Sequence, residues 1–407
     1  MTRGVALFVA LADFAARATS AQRAVEATLS AQAIVIATHA DPIPDGGTLT
    51  EVRVVQPVVM LDGAWRDYLL LHTTVDFEGK TIPNGELATG NWGEGFIDRR
   101  HPHTYFHEVM LSSPDVLRSW TRLARVTISA GKGFVPFGTD DPMSRPAERY
   151  PVNHHLSQIL ERGVAMIAIE RGMVTGEASL FNGDEPQNPG QSPNWSRFGD
   201  SWSARLMLRP VKGMETGVSR ASVASPEDRG GAGPTADKWS VSARFAGSWA
   251  RTPVYGMAEW ARTSESAGAL VYYTVLVEGA VTVGRHQPYY RFERTDRPED
   301  IRTFDDPFRT VRPHLDNSVL GITRWSVHTI GYAILVTPRT ARFEARPLVE
   351  FSGGSIKTIS GLFDPVAVYG RDTFWTLSVG LRLGWGMTGH RMGHYGVPMK
   401  TAMPMEM

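Results

Sequence analysis

The chain contains no cysteine. Cytosolic proteins usually keep a few thiols and small secreted ones pair them. The absence excludes a disulfide framework and suits a compartment where stray thiols would oxidise. A charge surplus is missing too: 42 Lys plus Arg balance 42 Asp plus Glu, with histidine neutral. A nucleic-acid binder normally carries a basic surplus or stripe, and neither is found. Lysine is scarce, and arginine supplies most of the positive charge. Nor does any apolar run reach the ~18–20 residues of a membrane-spanning helix. The nearest, Gly4 to Ala16, is interrupted by Asp13. Arg3, this apolar stretch and the small residues Ala18 to Ala21 have the order of a secretory leader, with cleavage expected after Ala21. Asp13 and Arg17 are atypical inside such a segment, which leaves a short amphipathic N-terminal helix as the alternative reading.

What the chain does have is alternation of period two. In Trp239 to Phe245 the odd positions are Trp, Val, Ala and Phe, and the even ones are Ser240, Ser242 and Arg244. Trp202, Ala204, Leu206 and Leu208 alternate with Ser203, Arg205 and Arg209. Trp375, Leu377, Val379, Leu381, Leu383 and Trp385 alternate with Thr376, Ser378, Gly380, Arg382 and Gly384. A soluble sandwich also alternates. Two features favour a membrane barrel: tryptophan closes the apolar faces as an aromatic girdle would, and the polar faces carry full charges. A soluble barrel fills its interior with apolar side chains, whereas a water-filled lumen tolerates charge. On this assignment Arg125, Arg205, Arg244, Glu259, Arg342, Glu344, Arg346, Glu350 and Arg382 line the lumen, with Glu177 beside them.

Counting segments from Trp65 predicts about fourteen antiparallel strands, the first at 65–78 and the last at 373–386. Sixteen is the alternative if two hairpins are misread. Longer and shorter connections alternate along the chain, as in bacterial barrels with even strand numbers, short periplasmic turns and long extracellular loops. Residues 48–61 also look extended. Added as one strand they break the parity, and Pro57 is awkward in a sheet without an edge. The expected organisation is therefore a leader at 1–21, a periplasmic or lumenal segment at 22–64, a barrel at 65–386 and a Met/His-rich tail at 387–407.

One stretch carries a family resemblance. Arg125-Val-Thr-Ile-Ser-Ala-Gly131 is followed by Phe134-Val-Pro-Phe-Gly138 and, after a loop, by Leu160-Glu161-Arg162. This resembles the phosphate-selective porin O/P family, in which a strand ends in Gly and a Pro-Phe-Gly-like turn, and a Glu-Arg pair opens the next strand. The resemblance spans roughly a tenth of the chain and implies a barrel with a lumen. It does not extend to phosphate as substrate, because those anion-selective channels carry many lysines and arginines where this chain balances its inward charges.

Other groups suggest chemistry. Asp98, His101 and His103, with His107 following on the next strand, and then Asp140, Asp141, His154 and His155 fall on or beside two loops expected at one rim. Histidines and carboxylates together bind divalent metals or move protons. They also fold loops through hydrogen bonds. His390, Met392 and His394, with four later methionines, offer soft ligands for a Cu(I)-like ion. A chance composition in a free terminus is the plainer reading. The expected function is passive or weakly selective diffusion of small solutes across the bacterial outer membrane, with no cofactor beyond a soft metal ion. A metal-handling barrel is the alternative, and a rim hydrolase comes last. The expected partners are outer-membrane lipid, small solutes and the outer-membrane assembly machinery. Many barrels end on an aromatic used in assembly, and Trp385 is the nearest equivalent here.

Overall fold

The computed structural model describes residues 25–43, 46–66, 68–82, 103–120, 123–300, 319–338, 341–386 and 391–395. The leader at 1–21, His101, His390 and the last four methionines lie outside these residues.

Sixteen antiparallel strands form one closed sheet. In chain order they are β1 (Val25–Asp41), β2 (Leu49–Trp65), β3 (Leu69–Asp76), β4 (Phe106–Ser113), β5 (Arg125–Gly133), β6 (Arg162–Arg171), β7 (Val174–Phe181) and β8 (Ser201–Leu208). They continue as β9 (Met214–Ala224), β10 (Thr235–Trp249), β11 (Thr252–Glu265), β12 (Leu270–Val281), β13 (His286–Asp300), β14 (Val319–Ile334), β15 (Phe343–Gly361) and β16 (Thr373–Trp385). Each strand pairs with its sequence neighbour, and β1 closes the ring on β16 with Ala31 opposite Trp385 and Val35 opposite Leu381. Among the described residues two short α-helices, α1 (Glu78–Thr81) and α2 (Pro365–Tyr369), sit in connections.

The number is sixteen because the N-terminal segment is wall. Residues 22–64, expected in the periplasm or lumen, instead supply β1 and most of β2 as a hairpin, which adds two strands and keeps the parity. Pro57 is accommodated by a bulge. The register jumps from Gln32 opposite Val58 to Ile34 opposite Val55, and Gln56 takes a left-handed φ of 50°. A bulge leaves residues out of the ladder, so the missing Pro57 N–H costs no cross-strand bond. The expected strand at 65–78 divides at a tight turn, with Trp65 ending β2 and Leu69 beginning β3.

The connections after even-numbered strands are mostly short, as at 172–173 and 250–251, and the start of β1 and the end of β16 lie at that end. Those after odd-numbered strands include the long 77–105, 134–161 and 182–200. Faces alternate as the pattern required. Val241, Ile330 and Val379 are among the exposed apolar residues of the outer face, Val379 at 56%. Trp65, Trp249 and Trp385 mark the short-turn end, and Trp202, Trp239 and Trp375 the other. A closed wall that satisfies its own backbone, apolar outside and polar within, is the only all-β form that a bilayer admits.

Candidate functional site: a filled lumen

The connection between β5 and β6, residues 134–161, folds into the barrel, and almost every residue in it is buried. The motif Phe134-Val-Pro-Phe-Gly138 turns it inward. Gly138 has φ +66°, and a Cβ there would lie 1.6 Å from the Ser157 carbonyl oxygen, so only glycine fits where the segment closes on itself. The Gly138 N–H donates to Ser219 Oγ at 2.9 Å. Asp141 then accepts from Met143 N at 2.7 Å and caps a single 3-10 turn, Pro142–Ser144. At the far end Arg162 donates to the Gly183 carbonyl and to Glu185 at 2.7 Å, anchoring the return to the wall.

Between these anchors the segment is held mainly by charge. Arg145 lies 3.4 Å from Glu259 of β11 and 4.0 Å from Glu278 of β12. Arg149 donates to Glu293 of β13 at 3.1 Å, and Val152 N donates to the same carboxylate at 2.8 Å. Glu148 accepts from Arg382 of β16 at 2.9 Å, while its own N–H donates to Glu350 of β15 at 3.1 Å. Lys238 of β10 donates to the His155 carbonyl at 2.9 Å. Burial pushes the Glu148 carboxyl upward despite Arg382.

Residues Arg391–Tyr395 enter the lumen too, so the tail expected to hang free in the periplasm is in part a second plug. Arg391 ties to Asp140 and to Glu215 of β9, the latter at 2.9 Å, and Arg244 of β10 approaches Asp140 at 2.6 Å. Burial alone would raise the Asp140 carboxyl. Arg391 and Arg244 overcome it and hold the group well below the usual carboxylate range. Arg205 pairs with Glu177 at 2.5 Å and donates to the Gly393 carbonyl at 3.0 Å. Tyr395 donates to Glu108 at 2.7 Å and accepts from Phe134 N at 3.0 Å, joining the tail to the inward segment. Met392 packs in the apolar cluster with Met110, Phe134 and Val135. His394 lies 3.2 Å from Asp140, and burial, Arg391 and Arg205 push its imidazole down to about 4. Neither residue is placed as a soft-metal ligand: one thioether faces hydrocarbon, and the imidazole sits among arginines.

Of the charges expected to line the lumen, most face inward and meet a partner of opposite sign. Arg125 pairs with Glu170 at 2.7 Å, and Glu344 pairs with Arg346. Glu350 also accepts from Tyr289 at 2.9 Å. Arg342 is a correction. It precedes β15 in a short connection and is exposed, and its carbonyl accepts from Gly386 N at 2.8 Å. The alternation in the sequence runs one residue past the strand's true start at Phe343. Several lumen charges were not singled out from sequence, among them Arg291, Glu293, Arg297 and Glu299 on one face of β13. Their spacing of two was the available signal. Those of the inward segment gave none, because a loop has no periodicity.

The described rim histidines do not all form one cluster, although His103 and His107 lie with ring centroids 4.8 Å apart. His154 and His155 belong to a 3-10 turn of the inward segment, where the Tyr150 ring lies 5.4 Å from His154, tilted by 31°, and edge-on at 6.3 Å to His103. His103 meets Asp76 at 3.3 Å and Glu78 at 3.1 Å instead.

The wall has the fold of an outer-membrane porin. The anion-selective porin from Comamonas acidovorans superposes with a TM-score of 0.51 at 10% identity, over 89% of this chain and 100% of that one. OmpF of Salmonella typhi, in complex with daunomycin, gives 0.49 at 10% identity, over 90% and 99%. The loop L8 deletion mutant of OmpT, an outer membrane protein of Vibrio cholerae, gives 0.47 at 11% identity, over 89% and 100%. No protein-family model and no curated protein matches the chain. The lumen of this barrel is densely filled. The inward faces of the wall are themselves buried, Ser240, Thr274 and Arg291 among them. A cleft of about 80 Å³ remains where Asn153, His155 and Gln158 face Arg162, Glu185 and Lys238.

Proposed function

We propose that this chain is an outer-membrane channel through which small solutes diffuse slowly and with weak charge preference. One observation carries the reading: a closed wall, apolar outside, encloses a polar lumen whose charges are paired across an inward-folded segment. Polar groups in a pore replace part of a solute's hydration, and unpaired charge decides which ions concentrate there. Here Arg145, Arg149, Arg205, Arg244 and Arg382 each answer a carboxylate, so little net field remains. For the same reason the likeness of residues 125–162 to the phosphate-selective porins concerns how the inward segment leaves and rejoins the wall, not the solute. Trp385, the aromatic that closes β16, fits the role of the terminal assembly signal.

Folded protein in planar bilayers tests this. Wild type should give small, discrete conductance steps. Shortening the inward segment by removing residues 140–156 should raise the step several-fold while heat-modifiable migration on gels is retained. A folded wild-type barrel that never conducts would refute the reading.

A further inference from the structure

We propose that the extracellular end of the barrel holds one divalent transition metal ion, with Asp76, His103 and His107 as ligands. These residues come from three places: Asp76 ends β3, His103 closes the long connection that follows, and His107 lies on β4. All are buried, and one ligand atom from each lies within 4.8 Å of the other two. Zinc bonds to nitrogen and carboxylate oxygen are about 2.0–2.2 Å long, so donors round a tetrahedral ion stand roughly 3.4 Å apart. Side-chain rotations of about an ångström therefore close the site, and water or Glu78 can complete it.

The surroundings are those of a ligand set. His107 is fully buried. Its Nδ1 meets Glu161 Oε1 at 2.5 Å, while its Nε2 has no hydrogen-bond partner among the described residues. A carboxylate on Nδ1 fixes the tautomer and leaves the Nε2 lone pair for a metal, the usual outer arrangement round a histidine ligand. Glu161 is itself held by Thr104 N at 3.0 and 3.1 Å, and its backbone takes a left-handed φ of 56°. Asp76 uses Oδ1 to accept from Glu78 N at 2.7 Å and turns Oδ2 toward His103. With both imidazoles neutral, as ligation requires, Asp76, Glu78 and Glu161 gather there beside Lys132, a local excess of negative charge that a divalent ion offsets. Glu161 ends the inward segment, so the ion would bind the mouth of the wall to the lumen's filling. The site stands whether or not the lumen conducts.

The test uses full-length protein, folded in detergent and freed of metal with a chelator, then titrated with zinc against a chromophoric competitor. Wild type should take up one zinc per chain at micromolar concentration or tighter. His107→Gln and Asp76→Asn should each lose at least tenfold in affinity, and His394→Gln, in the lumen's other plug, should lose none. Heat-modifiable migration checks that each variant folds. Cobalt(II) added to wild type gives a second measurement needing no variant, a visible absorption of low-symmetry, nitrogen-ligated ion. Absence of zinc uptake by wild type, or equal uptake by the His107 and Asp76 variants, would overturn the site.

Discussion

At the scale of the residue, the lumen is governed by the rule that a buried charge must be paired. Asp140 shows it best, since it answers Arg244 of the wall and Arg391 of the tail and has His394 beside it. Replacing Asp140 with Ala should leave two arginines facing each other and cost about 3–5 kcal/mol, the usual penalty for breaking a buried pair. Urea-dependent loss of the heat-modifiable band would measure it. His394 predicts a pH effect. Its imidazole titrates at about 4 when buried, against 6.5 when free. The undocked tail therefore binds more protons between those values, and docking weakens as pH falls from 6.5 toward 4. The loss approaches about 3 kcal/mol at the lower limit, at 1.36 kcal/mol per unit. Asp140, held well below the usual carboxylate range, stays charged in the docked state across that window, and its own contribution starts to be lost only toward the window's lower end. Proteolysis at Arg391 should be faster at pH 5 than at pH 7.5 in wild type, and His394→Gln should flatten the difference. A flat profile in wild type would show that His394 is not buried against the arginines.

At the scale of the element, a strand is legible where one face meets lipid and the other does not. The faces of β8, β10 and β16 were readable for that reason, and Trp202, Val241 and Val379 fall on the outside as their spacing required. β1 was not readable. Its middle, Ala31-Gln-Ala-Ile-Val-Ile36, buries Ile34 and Ile36 inside against Ile82 and Leu348, so both of its faces are apolar and the alternation disappears. Without β1 the count of strands is odd when residues 48–61 are added, and Pro57 is awkward in a sheet without an edge. The inward segment was invisible for the opposite reason: its structure is imposed by distant strands through single ion pairs. The outer face gives a direct test. Val379→Arg should destabilise the folded barrel by about 2–4 kcal/mol if the residue lies near the bilayer midplane. Inward Ser240, which sits in packed surroundings, should tolerate Ala with little change but not Arg, because added bulk in a packed interior also costs about 1–3 kcal/mol. An open lumen would accept that arginine, so the Ser240 pair of variants reports on the filling and Val379 reports on the wall.

At the scale of the whole molecule, the barrel is a sleeve closed round two pieces of its own chain. The periodicity and parity of the strands point to a sleeve with a polar interior. The filling depends on residues more than a hundred positions apart, such as Arg149 with Glu293 and Arg391 with Asp140. Such pairs leave no trace in local spacing. On this arrangement a chain with no net charge can carry many lumenal arginines, and the proposed weak selectivity follows from their pairing. The most direct measurement is the reversal potential of bilayer-inserted protein under a tenfold potassium chloride gradient, where perfect selectivity for one monovalent ion gives roughly 59 mV. Paired lumenal charges predict a value near zero with a slight anion preference, shrinking further in molar salt as the Debye length falls to about 3 Å. A potential close to the ideal anion value, with current blocked by micromolar phosphate, would contradict the account.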